Sequence, residues 1–149
     1  MIAAHTRLTV LVLLILGSAV SLLTPSCSVP NLEKPQCTAA RLAARRFYSF
    51  HFGNDMMMTT ENLKAREPYL TPELYGTLSA AGESRFDYFT ATERYPKAFR
   101  IGTCTSESPD RASFQVVLLW RDENGSDQKE VHAEVVQKGN DWLIDKVSK

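Results

Sequence analysis

General acid–base chemistry needs a carboxylate or imidazole held beside a donor that can follow charge as it develops. An enzymatic reading of this sequence makes Asp87 or Glu134 the general base, with Tyr48, Tyr88 or His132 donating to a developing oxyanion. Asp87, Tyr88 and His132 are the candidate catalytic set under that reading. A structural role competes at each position. His132 stands between Val131 and Ala133, so strand alternation points it away from their apolar face. Asp87 equally suits a carboxylate that anchors an irregular segment. The remaining histidines are His5, inside an N-terminal apolar leader, and His51, far from His132 in sequence. No metal-ligand spacing, glycine-rich phosphate loop or nucleophile elbow occurs, so neither a cofactor nor a metal is expected. A non-enzymatic role takes precedence over catalysis.

The cysteines are Cys27, Cys37 and Cys104. Residues 8–23 are almost all apolar and follow His5 and Arg7. Sixteen residues fall short of the roughly 20 that span a bilayer core. A positive start, a short apolar run and small residues after it describe an export signal, assigned to residues 1–26. The run leads into Thr24-Pro25-Ser26-Cys27, where Cys27 resembles the lipid-acceptor cysteine of bacterial lipoproteins and Ser26 is the small residue before it. Thr24 and Pro25 depart from the usual pattern, and cleavage near Ala19 or Ser21 is the alternative that leaves Cys27 an ordinary residue. Lipidation of Cys27 removes the odd cysteine and leaves Cys37 and Cys104 as one expected disulfide, worth roughly 4 kcal/mol by the chain-entropy estimate. A buried free thiol at Cys104 is the competing account.

Aromatic residues give the stronger candidate surface. Tyr88, Arg94, Tyr95 and Lys97 combine aromatic and basic character in a stretch without clear periodicity, as peptide and protein contacts often do. Most other aromatics here, such as Phe47 and Phe50, suit a core. Met56-Met57-Met58 suits flexible packing beneath a loop better than metal binding.

These side chains must be positioned by the elements between them. Residues 27–37 contain two prolines and read as a tether. From Thr38 the pattern is helical, with Ala39, Ala43, Phe47 and Phe50 as the inward stripe and Gly53-Asn54 as the stop. A short helix is expected near residues 62–66, before Pro68. Thr71-Pro72-Glu73 opens another, with Leu74, Leu78 and Ala81 inward and an end or restart at Gly82. After Pro96 the period becomes two. Residues 98–105 form the first expected strand. Phe114, Val116, Leu118 and Trp120 line the second, and the apolar Val117 and Leu119 suggest cover on its other face as well. Asn124-Gly125 signals a hairpin, Val131, Ala133 and Val135 a third strand, and Trp142-Leu143-Ile144 a fourth. Helices followed by an antiparallel meander predict an α+β domain over residues 38–149.

The segments Ala44-Arg45-Arg46-Phe47-Tyr48-Ser49-Phe50-His51, Tyr69-Leu70-Thr71-Pro72-Glu73-Leu74-Tyr75, Asp87-Tyr88-Phe89-Thr90, Tyr95-Pro96-Lys97-Ala98-Phe99 with Gly102, and Trp142-Leu143-Ile144-Asp145-Lys146-Val147 resemble, in order and spacing, the bacterial envelope family called domain of unknown function 3828. The resemblance covers the chain from about Thr38 onward. It implies a nuclear transport factor 2-like superfold, a cone of helices packed into a curved four-stranded antiparallel sheet. It also implies export, sometimes as a lipoprotein, and carries over no catalytic residue.

The 149 residues carry 17 Lys plus Arg and 17 Asp plus Glu, so a nucleic-acid partner is not expected. The sequence therefore reads as a periplasmic or membrane-tethered binding domain. Its expected partner is another envelope protein or a small apolar or peptide ligand, and its only membrane contact a lipid on Cys27. A pocket enzyme and an immunity or inhibitor protein are the alternatives. Intact mass tests the leader: a chain beginning at acylated Cys27, with two further cysteines resistant to alkylation until reduced, is the expected species. A soluble chain without lipid removes the tether.

Overall fold

Proline at the first helical position and a run of alanines favour a helix, because proline has its φ preset and alanine loses least side-chain freedom. The computed structural model describes residues 32–123 and 125–149, and there α1 runs from Pro35–Gly53. The expected export signal, Cys27 and the first part of the tether lie outside the described residues, as does Asn124. Helix α1 starts three residues before Thr38, so Pro35, Gln36 and Cys37, expected in the tether, belong to the helix.

The inward stripe of α1 is Cys37, Ala40, Ala44, Phe47, Tyr48 and His51. This corrects the expected face: Ala39 is exposed, and Ala43 and Phe50 are half-buried. Alanines at 39, 40, 43 and 44 make two neighbouring stripes equally apolar. The polar-tipped Tyr48 and His51, which a hydrophobicity count discards, decide between them. Asn54 closes the helix, its amide donating to the Phe50 carbonyl at 2.7 Å.

Helix α2 (Thr60–Arg66) is capped by Thr59, whose hydroxyl accepts from the Asn62 N–H, and passes into a single 3₁₀ turn at Glu67–Tyr69. Helix α3 (Pro72–Ala81) starts as its sequence dictates. The Thr71 hydroxyl accepts from the Leu74 N–H at 3.2 Å and donates to Asp145 Oδ1 at 3.1 Å, while the Thr71 N–H donates to the Ile144 carbonyl at 2.9 Å. One residue thus caps a helix and docks it on the sheet. Leu74 and Leu78 are buried, but Ala81 is exposed. Gly82, with φ of 77°, ends the helix without a restart.

Four strands complete the described chain: β1 (Ala98–Ser108), β2 (Arg111–Asp122), β3 (Gly125–Lys138) and β4 (Asp141–Ser148). They form one antiparallel sheet in the order β1-β2-β3-β4. The molecule is α+β, with α1 packed against all four strands. Phe114, Val116, Leu118 and Trp120 of β2, Val131, Ala133 and Val135 of β3, and Ile144 and Val147 of β4 supply the buried face. Each large apolar side chain so buried contributes about 1.5–3 kcal/mol. The expected cover on the second face of β2 is confined to Val117, since Leu119 remains 36% exposed. In register, Val117 lies between Arg100 and Glu130, long polar side chains whose stems suit a half-open sheet surface.

Strand β1 is irregular at its centre. Ile101 faces Val116 and Cys104 faces Phe114, so Gly102 and Thr103 together oppose the single residue Gln115. The extra residue inverts the alternation and turns Cys104, instead of Thr103, toward the helix side. A Cβ at Gly102 would stand 2.7 Å from Gln115 Oε1 and 3.2 Å from its backbone oxygen, so the bulge suits glycine.

Thr71→Ala is expected to lower the unfolding free energy by about 1–2 kcal/mol, with Thr71→Ser, which keeps the hydroxyl, recovering most of the loss. Urea denaturation followed by circular dichroism measures both. A neutral Thr71→Ala would show that the cap is dispensable.

Candidate functional site

Among the described residues, the main concentration of polar side chains in the interior joins three segments that are distant in sequence. His51 lies in the last turn of α1, Arg66 ends α2, and Asp87 sits in the irregular stretch after α3. His51 and Asp87 are fully buried and Arg66 is 1% exposed. Arg66 Nε donates to His51 Nδ1 at 2.8 Å, and His51 Nε2 lies 2.8 Å from Asp87 Oδ2. A guanidinium only donates, so Nδ1 must be the accepting nitrogen and the imidazole proton resides on Nε2, directed at the carboxylate. The imidazole is neutral and bridges one anion and one cation. Phe47 stacks on it, with ring centroids 5.6 Å apart and planes 12° from parallel.

The remaining valences of the group are used locally. Asp87 also accepts from the Phe89 N–H at 2.9 Å and the Thr90 hydroxyl at 2.5 Å. Its backbone exchanges two hydrogen bonds with Thr92, closing a turn in which Ala91 takes a φ of 52°. Arg66 donates to the carbonyls of Asn62 and Asp55, both at 2.6 Å. Burial weakens the hold of Arg66 on its proton, offset in part by the charges of Asp87 and Asp55. Tyr48 donates to the Phe89 carbonyl at 3.0 Å, and burial, reinforced by the nearby Asp87 charge, drives its phenol far above the ordinary tyrosine range. Such an arrangement orders loops. It presents neither an accessible base nor a free oxyanion donor.

The other expected site residues are dispersed. The candidate catalytic set of Asp87, Tyr88 and His132 is not brought together. His132 is exposed on β3, opposite Gln115 and Ser148, because strand alternation puts it on the face away from the helices. The Tyr88 hydroxyl accepts from the Val147 N–H at 3.1 Å and thereby ties the irregular stretch to β4. Glu134, the other expected base, pairs with Arg111 at 2.9 Å and Lys146 at 3.7 Å on the sheet surface. The true partner of Asp87 is His51, to which the sequence pattern assigns no role. Local patterning carries no sign of it: His51 and Asp87 are 36 residues apart.

Of the expected binding residues, Arg94 lies over the Trp120 ring at 5.5 Å, and its carbonyl accepts from Trp120 Nε1 at 2.7 Å. Lys97 is exposed, its N–H pairing with the Leu119 carbonyl. Tyr95 is half-buried and, with Met57, Arg85 and Glu93, lines an open depression of about 290 Å³. Met57 and Phe86, next to Arg85 in the chain, are each 41% exposed. The methionine triplet is thus divided, with Met56 and Met58 in the core and Met57 outside. Cys37 and Cys104 are joined in a disulfide between α1 and β1.

No family model and no curated protein matches the chain. Among solved structures it is similar to the solution structure of a SEC-C motif containing protein from Rhodopseudomonas palustris, at 10% identity and a TM-score of 0.34, over 77% of this chain and 91% of that one. Likeness at that level transfers no role.

Removing one member of a buried charge relay strands the others. Asp87→Asn and Arg66→Met are each expected to lower stability by about 3–5 kcal/mol. The double variant should lose less than the sum, with a coupling of about 0.5–3 kcal/mol. Urea unfolding of the four proteins measures this, and strictly additive losses would show that the relay does not act as a unit.

Proposed function

We propose that the protein is a non-enzymatic binding domain of the bacterial envelope, exported and held at a membrane through lipid on Cys27. Its partner is another envelope protein or a peptide, engaged on the surface formed by Met57, Arg85 and Tyr95. One contrast carries this reading. The acid–base groups of the interior, Asp87, His51 and Tyr48, are buried and bonded to one another or to backbone, whereas Met57 stands exposed beside Tyr95. A substrate has no path to a carboxylate that accepts three hydrogen bonds in the core. Phe47, Tyr48, Phe89 and Phe114 fill that space instead.

An exposed methionine beside a tyrosine and an arginine is suited to protein contact, because methionine adapts to irregular surfaces and tyrosine and arginine are enriched among the residues that dominate interface energies. The order of the sequence motifs that resemble the envelope family, together with the apolar leader, supports a location outside the cytoplasm. An inhibitor or immunity protein would be one form of the same role.

A photo-crosslinking residue introduced at position 57 or 95 is expected to trap a discrete envelope partner in intact cells, while the same residue at exposed Ala80 of α3 does not. Met57→Glu should abolish the adduct formed from position 95 and leave stability within about 0.5 kcal/mol of the parent. Equal adducts from position 80, or adducts insensitive to Met57→Glu, would refute the assignment of this surface.

A further inference from the structure

We infer that opening of the Cys37–Cys104 disulfide creates a site for a thiophilic divalent cation, Zn²⁺ foremost, held by Cys37, Cys104 and Glu33. The two sulfur atoms and a carboxylate oxygen of Glu33 all lie within 4.8 Å of one another. Tetrahedral zinc, with metal–sulfur bonds of about 2.3 Å and metal–oxygen bonds of about 2.0–2.2 Å, sets its ligand atoms roughly 3.5–3.8 Å apart, so the sulfurs must separate once reduced and the Glu33 carboxylate must close on them by about an ångström at most. The Cα atoms of the two cysteines are 6.0 Å apart, which leaves room for the sulfurs to separate around an ion while the backbone stays in place. Two thiolates and one carboxylate are a borderline-soft set that selects zinc over magnesium or calcium and leaves the fourth position to water. Sequence spacing carries no indication of this group, because Cys104 reaches it only through the β1 bulge.

The surroundings suit opening and the formation of the thiolates that bind the ion. Cys104 is half-buried and Cys37 buried, so an incoming thiolate meets Cys104 Sγ first. A protein dithiol is the reductant. Its first thiolate attacks Cys104 Sγ, the S–S bond breaks, and Cys37 leaves as a thiolate. The second thiol of the reductant then displaces Cys104 and carries away the new disulfide. Cys37 sits in the first turn of the 19-residue helix α1, where the positive end of the helix dipole favours a thiolate. Arg41 and Lys34 add positive charge beside the site: Arg41 pairs with Glu33 and donates to the carbonyls of Ile101 and Gly102, and Lys34 reaches the Ser106 carbonyl at 3.5 Å. The Arg41–Glu33 pair is the kind of outer contact that orients a metal-ligating carboxylate. Binding of the ion releases the protons of any thiol still protonated and restores the α1–β1 crosslink in another chemical form.

The test uses the full chain reduced with a phosphine under argon and titrated with Co²⁺ alone. The expected result is a near-ultraviolet thiolate-to-cobalt charge-transfer band that saturates at one equivalent, is displaced by Zn²⁺, and does not form in the oxidised protein. Glu33→Gln keeps both cysteines, so its folding is checked by its own disulfide before reduction. It should weaken Co²⁺ binding by at least the roughly tenfold that even outer-shell losses cost. Absence of the band, or Glu33→Gln binding as tightly as the parent, overturns the site. So does a reduced chain that unfolds and is not refolded by Zn²⁺. None of these readouts depends on the surface of Met57 and Tyr95, so the two assignments fail separately.

Discussion

The organisation of the helical half depends on one buried relay, Asp87 to His51 to Arg66. Burying a carboxylate and a guanidinium is unfavourable unless each is paired and its other valences are filled. Here the neutral imidazole transmits the pairing, and Phe89, Thr90, Asn62 and Asp55 supply the rest. The consequence is geometric. The end of α1, the end of α2 and the stretch between α3 and β1 cannot move independently without stranding charge in the core. A purely apolar contact would have tolerated sliding; directional bonds do not. The irregular stretch is therefore ordered without regular secondary structure.

At the other end of the molecule the disulfide and its polar neighbours do comparable work. The first turns of α1 are fastened to β1 by Cys37–Cys104, and the donors Arg41 and Lys34 reach carbonyls of that edge strand. The opposite edge, β4, receives the Thr71 N–H. Both edges of the sheet are thus engaged at specific points by the helical layer, which limits their ability to template pairing with another chain. The sheet face away from the helices carries Leu119, His132 and Glu134 in a mixed polar surface.

This distribution separates the polar groups that hold the fold from the side chains at the surface. Asp87, His51 and Tyr48 are bonded within the core, while Met57, Arg85 and Tyr95 line a depression at the surface. Beside the disulfide lies Glu33, paired with Arg41. The chemistry of the two cysteines is controlled by oxidation state, since two sulfurs joined to each other have no thiolate to offer a metal.

Sequence determined whatever depends on neighbours along the chain. Thr71-Pro72-Glu73 starts a helix because the cap, the preset φ and the dipole all act within one turn. The alternation of Phe114, Val116, Leu118 and Trp120, and of Val131, Ala133 and Val135, gave the strands and the buried side of each, and element order gave the α+β class. The expected Cys37–Cys104 pairing came from counting cysteines. What depended on distant partners stayed hidden. The face of α1 was decided by Tyr48 and His51 meeting Phe89 and Asp87, not by its alanines. The role of His51 came from residues 15 and 36 positions away. Leu119 and Ala81 lie exposed because nothing in the packed layers reaches them, although their periodicity marked them as interior. The bulge that turns Cys104 inward arises from β1 fitting β2 and α1 together. Local geometry follows from covalent constraints and short-range bonds, whereas the pairing of buried polar groups is a property of three-dimensional packing. Only the tertiary structure could therefore show that Asp87 is bonded in the core to His51, Phe89 and Thr90.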